Sequence, residues 1–201
     1  MSRERLGVFG GTFDPPHIGH FTLASSAFKQ MHLDHMLWML APIPPHKRQQ
    51  VITPLEHRLA MLKLLIANEP NFQLSGVELD RPGPHYTIDT IRLLADQHLS
   101  ADLILLIGAD SLHELASWQH PVDLVSACHQ IGVFQRPGDT INLSEMERHI
   151  RGIQAKVQVV EAPLIDISSR KIRDRIRENL GYRDQLTPDV YAYIEKNKLY
   201  Q

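Results

Sequence analysis

Near its start the chain reads Gly10-Gly-Thr-Phe-Asp-Pro-Pro-His-Ile-Gly-His20, directly after a short apolar run at residues 6–9. This order predicts a strand, a tight glycine turn and then a helix whose first turn carries two imidazoles. Unpaired backbone N–H groups and the helix dipole favour anions at such a junction. The stretch therefore predicts a polyphosphate site.

Two histidines and the glycine between them are the residues that we expect at the anion. His17 and His20 are three positions apart, so they share one face of a helix. Gly19 would let a ligand approach the backbone closely. The alternative is a pair of surface histidines that cap the helix. The strand before them and the helical pattern after them favour the phosphate site.

Strand-like and helical segments alternate along the rest of the chain. The predicted strands are 6–9, His35–Leu40, 72–79, 103–107, 129–134 and Val157–Val160. The predicted helices begin near Ile18, Pro54 and Ser168, with Thr87 as the cap of another and Pro188–Asn197 as the last. This alternation is typical of an α/β, Rossmann-like, doubly wound and mostly parallel sheet with helices on both faces.

Polar clusters follow four of the segments, at residues 10–20, 42–47, 108–110 and 136–138. The carboxyl ends of parallel strands meet at one edge of a sheet, and ligands bind beyond that edge. We therefore expect these clusters to form one site.

Composition narrows the possible functions. The formal net charge of −2 argues against a nucleic-acid-binding or membrane-surface protein. The only cysteine, Cys128, excludes an internal disulfide framework and a cysteine-based zinc site, and we expect a packed thiol there. The N-terminus has no apolar signal core and no run reaches transmembrane length, which predicts a cytoplasmic protein. The sequence leaves a homo-oligomer open.

Missing motifs narrow the chemistry further. The sequence has no P-loop, no Gly-x-Gly-x-x-Gly after the first strand, no His-Glu-x-x-His and no Gly-x-Ser-x-Gly. Nucleotidyl transfer remains, in which an acceptor phosphate attacks the α-phosphorus of ATP. A phosphate monoester is largely dianionic at neutral pH, so no general base is needed. His17 and His20 would donate hydrogen bonds to the α- and β-phosphate oxygens while the reactants are held in line.

A second anion clamp is predicted near the C-terminus. Ser168 and Ser169 open a helix that carries Arg173, and this combination suits the leaving pyrophosphate. The alternative is an ordinary serine cap on a solvated basic helix. The presence of the histidine pair favours the phosphate role.

These two motifs resemble the signature of the nucleotidyltransferase superfamily that shares its core with class I aminoacyl-tRNA synthetases. They are His17-Ile-Gly-His20 and Ser168-Ser-x-x-x-Arg173. Nearly the whole chain resembles bacterial nicotinate-nucleotide adenylyltransferases. The matching stretches are Gly10 to His20, Pro44-Pro-His-Lys47, Tyr86-Thr87, Ile107-Gly-x-Asp-Ser-Leu112 with Trp118, Arg136-Pro-Gly138, Ile167-Ser-Ser-x-x-Ile-Arg173 and Tyr193-Ile-x-x-x-x-Leu-Tyr200.

The resemblance implies that ATP and nicotinate mononucleotide react to give deamido-NAD (nicotinate adenine dinucleotide) and pyrophosphate, in NAD biosynthesis. Mg²⁺ would come with the phosphates, and no metal ligands are expected on the protein. The implied ATP-site residues are Gly10, Thr12, Phe13, His17, His20, Lys47, Gly108, Asp110, Arg136, Ser168, Ser169 and Arg173. The implied acceptor-site residues are Gly11, Thr12, Tyr86, Thr87, Asp110 and Trp118.

The resemblance also implies roles for single residues. Asp110 would bind ribose hydroxyls, Lys47 would reach phosphate, and Trp118 would stack on the pyridine ring. Backbone amides around Thr87 and Trp118 would hold the nicotinate carboxylate. The alternatives are a packed aromatic for Trp118, a helix cap for Asp110 and a solvated charge for Lys47.

Two residues depart from the family pattern. His85 stands where serine is common, and Arg170 replaces the usual threonine after the paired serines. His85 could add a hydrogen bond near the pyridine pocket, which leaves the preference for acid over amide open. Arg170 adds a cation near the triphosphate.

Other functions also remain open. These are an adenylyltransferase with nicotinamide mononucleotide or a phosphopantetheine acceptor, and a nucleotide sensor that does not catalyse. We expect residues 1–201 to form a single nucleotidyltransferase domain, in which residues 168–201 are helical and carry the second phosphate clamp.

Overall fold

The computed structural model describes residues 3–42, 52–135, 140–163 and 165–201. Within these ranges the strands are β1 (Glu4–Gly11), β2 (His35–Leu40), β3 (Phe72–Ser75), β4 (Ala101–Gly108), β5 (Gln130–Phe134) and β6 (Val157–Val160). They form one sheet in the order β3-β2-β1-β4-β5-β6, and every neighbouring pair is parallel. The order reverses between β1 and β4, as it does in doubly wound sheets. The predicted α/β, Rossmann-like fold class is confirmed.

The connecting segments are largely helical. The helices are α1 (Ile18–Gln30), α2 (Leu55–Ile66), α3 (Thr87–Gln97), α4 (Ala109–His113), α5 (Pro121–Ala127), α6 (Leu143–Met146), α7 (Ile153–Lys156), α8 (Ser169–Arg177) and α9 (Pro188–Asn197). Short 3₁₀ turns lie at Leu115–Ser117 and Arg183–Gln185. Helices α5 to α7 were not predicted, because elements this short show no apolar periodicity, and α4 was expected only under the alternative in which Asp110 caps a helix. Among the described helices, we find none with the length and apolar character that a membrane span requires.

Side chains from the central strands alternate between two hydrophobic clusters. In β4, Ile104 and Leu106 pack on the face covered by α1, α2, α8 and α9. Leu103 and Leu105 pack on the opposite face, against α3, α5 and α7. Helices therefore cover both faces, as the continuous apolar run of β4 predicts. Cys128 lies in the second cluster with 1% of its surface exposed, and burial raises the pKa of its thiol to about 12, which confirms the packed thiol.

The predicted glycine turn after residue 9 is wrong. Gly10 and Gly11 belong to β1 and pair with Met39 and Leu40 of β2, because the neighbouring parallel strand keeps this segment extended. The chain turns instead at residues 12–16. Phe13 has a positive φ of 48° there.

Two other predicted boundaries shift. Strand β3 ends at Ser75 and not at 79, because the backbone N–H of Leu79 turns back to donate to the carbonyl of Gly76. The prediction that Thr87 caps α3 is also wrong. Tyr86 is the N-cap residue, and its carbonyl accepts from the backbone N–H groups of Asp89 and Thr90.

Candidate active site

His17 and His20 cap the start of α1 reciprocally. His17 is the N-cap residue, and its Nδ1 accepts from the backbone N–H of His20 at 3.3 Å. The Nδ1 of His20 accepts from the backbone N–H of His17 at 3.2 Å. The rings stack with their centroids 3.6 Å apart, so they share one face as predicted. The alternative prediction of a capping pair is therefore correct in its capping. His17 is only 5% exposed, however, and is not a surface residue.

These two hydrogen bonds set the protonation of the rings. A neutral imidazole nitrogen that accepts a hydrogen bond carries no proton, so each ring holds its proton on Nε2. Burial lowers the pKa of His17 from 6.5 to about 4. At neutral pH His17 is therefore an uncharged donor through Nε2–H.

Two glycines make room for the aromatic side chains of this segment. A Cβ on Gly19 would lie 2.9 Å from Nδ1 of His17, so the group that comes close to this glycine is the His17 ring. A Cβ on Gly11 would lie 2.8 Å from the ring of Phe13, which packs edge-on against His20. The glycines thus let the rings fold onto the backbone.

The predicted second clamp contacts the turn that leads to His17. Ser168 caps α8 by accepting from the backbone N–H of Lys171 at 3.2 Å. The hydroxyl of Ser169 donates to the carbonyl of Pro15 at 2.8 Å, and Nη1 of Arg173 donates to the carbonyl of Asp14 at 2.6 Å. The structure therefore joins the two motifs into one region.

Two expected acceptor residues and one expected ATP-site residue lie at the same edge of the sheet. Helices α1, α3, α4 and α8 each follow a parallel strand, so each begins at the carboxyl edge. Tyr86 and Thr87 lie at the start of α3, and Gly108 is the N-cap residue of α4.

Asp110 and Trp118 follow β4 at this edge. Asp110 is exposed in the first turn of α4, where the N-cap residue is Gly108 and not Asp110. Trp118 is half-buried, and its buried Nε1 has no hydrogen-bond partner within the described residues. An apolar ring with an unused donor is compatible with stacking on a ligand.

Comparisons with known proteins identify the family of this chain. The cytidylyltransferase-like family model matches residues 8–175. The nicotinate-nucleotide adenylyltransferase of Bacillus subtilis strain 168 is 37% identical over 98% of this chain and 99% of its own length. A protein of Thermomicrobium roseum named "Probable nicotinate-nucleotide adenylyltransferase" is 40% identical over 98% of this chain and 92% of its own. The chain belongs to the nicotinate-nucleotide adenylyltransferase family.

Solved structures confirm the fold. The nicotinic acid mononucleotide adenylyltransferase of Plasmodium falciparum, complexed with NaAD, superposes with a TM-score of 0.80 at 19% identity, over 98% of this chain and 97% of that one. The same enzyme complexed with APC superposes with a TM-score of 0.79.

The two departures from the family pattern lie in different surroundings. His85 is half-buried, and burial and then the nearby Arg81 lower the pKa of its ring. Its Nδ1 is buried without a hydrogen-bond partner in the described part of the chain. Arg81 donates to the carbonyl of Pro84 and to the hydroxyl of Thr90, so it fixes the loop that carries His85. Arg170 is exposed on α8.

Sequence reasoning missed three residues that hold this site. Arg58 and Asp14 are buried, and Tyr200 reaches Asp14 from the end of the chain. A signal for Arg58 is present, because it lies three, four and seven positions before Met61, Leu62 and Leu65 on the buried face of α2.

Two predicted ATP-site residues, Lys47 and Arg136, lie outside the described residues. Within the described residues, no group of three or more His, Cys, Asp or Glu side chains is arranged to hold a metal ion.

Proposed function

We propose that this protein transfers the adenylyl group of ATP to nicotinate mononucleotide, giving nicotinate adenine dinucleotide and pyrophosphate in NAD biosynthesis. The observation that carries this proposal is the reciprocal His17–His20 pair at the start of α1, in a chain of the nicotinate-nucleotide adenylyltransferase family. The pair presents two N–H donors beside a helix N-terminus, where an anion is favoured.

The reaction is one in-line displacement. A phosphate oxygen of nicotinate mononucleotide forms a bond to the α-phosphorus of ATP, and the bond from that phosphorus to the bridging oxygen of pyrophosphate breaks. The electron pair of the broken bond leaves with pyrophosphate. No proton has to be removed from the acceptor, because its phosphate is already mostly dianionic at neutral pH.

The histidines and the second clamp would bind different phosphates of ATP. His17 and His20 would donate from Nε2 to oxygens around the α-phosphorus, where charge builds up in the transition state. Removing one preorganised donor of this kind typically lowers kcat by about 10² to 10³-fold. Ser169, Arg173 and the start of α8 would hold the departing pyrophosphate. Their contacts with Asp14 and Pro15 support this role, because they place the clamp beside the turn at residues 12–16, which leads to His17.

Adenylyltransferases of this kind use ATP together with a divalent cation, and we propose Mg²⁺, carried as part of the substrate. The Nε2–H of His17 and the guanidinium of Arg173 are hydrogen-bond donors, which suit phosphate oxygens and are not the oxygen ligands that Mg²⁺ prefers. The ion would therefore be held by the phosphates and by water.

The remaining site residues keep the roles that the resemblance implies. Gly10, Thr12, Phe13, Gly108 and Asp110 would bind ATP with Ser168 as the cap of the clamp, and Lys47 and Arg136 would reach its phosphates. Gly11, Thr12, Tyr86, Thr87, Asp110 and Trp118 would bind the acceptor. Residues 1–201 would act as a single domain with the clamp in residues 168–201. The cytoplasmic location and a homo-oligomer stay predictions from the sequence.

An acceptor comparison tests the function. The purified protein is mixed with Mg²⁺-ATP and with nicotinate mononucleotide, nicotinamide mononucleotide or phosphopantetheine, and pyrophosphate is measured. We expect kcat/KM for the acid to exceed that for the amide by about tenfold or more, because a site built for a carboxylate leaves its donors unpaired with an amide. Equal rates would contradict the acceptor assignment. Binding of ATP with no product from any acceptor would favour the nucleotide sensor.

A further inference from the structure

A buried polar cluster supports the turn that carries the histidines, and the chemistry described above does not use it. Arg58 of α2 is 2% exposed and Asp14 of the turn is 5% exposed. Charged side chains are rarely buried this completely unless they are paired and hydrogen-bonded. The partners of these two residues therefore show what the cluster does.

Arg58 ties three segments of backbone together. Its guanidinium donates to the carbonyls of Thr12 at 3.0 Å, Ala41 at 2.9 Å, Pro42 at 2.8 Å and Thr53 at 2.9 Å. Thr12 begins the turn at residues 12–16, which leads to His17. The residues of the other three carbonyls flank the segment between β2 and α2. The start of the turn is thus fixed from the α2 side.

The carboxylate of Asp14 fixes the middle of the same turn. Its Oδ2 accepts from the backbone N–H of Thr53 at 3.3 Å, and its Oδ1 accepts from the hydroxyl of Tyr200 at 2.7 Å. Tyr200 is the next-to-last residue of the chain and packs against the core. Burial and then the charge of Asp14 raise the pKa of Tyr200, so its hydroxyl keeps the proton that it donates.

The turn needs this support because its backbone is strained. Phe13 has a φ of 48°, in the left-handed region that a bulky side chain occupies only when its surroundings impose it. Phe13 lies between Thr12 and Asp14, which are the two anchored residues, and His17 follows three residues after Asp14. Loosening either anchor would let the turn relax and carry the imidazoles with it.

We propose that Tyr200 is a positioning residue for adenylyl transfer. Through its hydrogen bond to Asp14, Tyr200 keeps His17 and His20 in position relative to the phosphates. This inference rests on the proposed function. It makes the segment after α9 part of the active-site scaffold. The expected effect is on the rate of the chemical step, since the proposed role of Tyr200 acts through Asp14 and not through contact with a substrate.

The test removes one oxygen atom, in the variant Tyr200→Phe. The matched control is Tyr182→Phe, which deletes another buried hydroxyl of the C-terminal region that also donates to a carboxylate, that of Glu195. We expect kcat of Tyr200→Phe to fall about tenfold or more, because misplacement of about 1 Å can slow a reaction about 10²-fold. KM for both substrates should stay within about threefold, and Tyr182→Phe should keep the kcat of the wild type.

A second readout does not depend on turnover. In protein labelled with ¹⁵N-histidine, NMR reports which ring nitrogens carry protons, and Tyr200→Phe should shift the signals of His17 and His20 while Tyr182→Phe leaves them in place. Unchanged ring signals, or equal kcat in the two variants, would overturn the positioning role. If the wild type transfers no adenylyl group at all, the proposed function fails, and the ring signals still decide whether Tyr200 holds the pair.

Discussion

The two nitrogens of the His17 ring have separate roles. Nδ1 accepts from the backbone of His20 and completes the helix cap, which leaves Nε2 as the donor. Because the ring is buried, it favours the neutral form. The sequence predicts the residue and the face that it occupies, but the tautomer follows only from the capping geometry.

The titration of His17 predicts a pH dependence of stability. The pKa is about 4 in the folded protein and 6.5 when exposed, so between these values the unfolded chain binds more protons. The free energy of unfolding should therefore be highest above pH 6.5 and fall by about 3 kcal/mol as the pH drops towards 4. Urea denaturation at a series of pH values measures this contribution.

The variant His17→Asn is the control for that experiment. The Asn side chain keeps an acceptor at the N-cap position, where asparagine is among the best caps, but it does not titrate. The stability of the variant should fall less steeply between pH 6.5 and 4 than that of the wild type. Parallel curves for the two proteins would show that His17 is not the titrating group.

At the scale of elements, the start of α1 depends on the absence of a side chain at Gly19. In Gly19→Ala the new Cβ would lie 2.9 Å from Nδ1 of His17 and push the ring away. Alanine also favours the helix by about 1 kcal/mol over glycine, so stability should change little. We expect kcat to fall about tenfold or more, because the displaced His17 ring no longer holds its Nε2–H donor in position.

A matched variant is Gly181→Ala, where a Cβ would meet nothing within 4 Å. Its kcat and melting temperature should stay close to those of the wild type. If Gly19→Ala also keeps full activity, the close contact between the His17 ring and the helix backbone is not needed for catalysis.

The start of α8 depends on its serine cap. Ser168→Ala removes the acceptor for the backbone N–H of Lys171, which should lower the free energy of unfolding by about 1 kcal/mol. Ser168→Asn should restore most of this loss, because asparagine caps helices as well as serine does. Denaturant midpoints measure both effects, and equal loss in the two variants would argue against the cap.

The sequence predicts the long elements of this fold well and their ends less well. Helix α9 matches its predicted bounds, and α1 begins where expected, because apolar periodicity and proline mark them. Strand β1 runs on through Gly10 and Gly11 because it pairs with β2. That pairing is a long-range contact that no local pattern reveals.

At the scale of the molecule, the sheet brings distant motifs to one edge. The turn at residues 12–16 follows β1, and α8 follows β6. Ser169 and Arg173 of α8 nevertheless contact Pro15 and Asp14 of that turn. The parallel order of strands predicts this meeting. Sequence reasoning missed the tether of Tyr200 to Asp14, because it joins residues 186 positions apart through a single hydroxyl.

The packing of helices on the sheet gives a prediction for the core. A Cβ on Gly132 of β5 would lie 2.5 Å from the sulfur of Met31 and 2.6 Å from a methyl group of Leu106. Gly132→Ala should therefore lower the free energy of unfolding by about 1 to 3 kcal/mol through overpacking. The kcat of the folded protein should be unchanged, and a stability equal to that of the wild type would contradict the tight packing.

The measurement that bears most directly on this account is the single-turnover rate of His17→Asn with Mg²⁺-ATP and nicotinate mononucleotide. The variant keeps the helix cap but loses the Nε2–H donor. We predict a rate of adenylyl transfer about 10² to 10³-fold below that of the wild type, with a folded protein that still binds ATP. A rate within about threefold of the wild type would show that His17 does not stabilise the transition state.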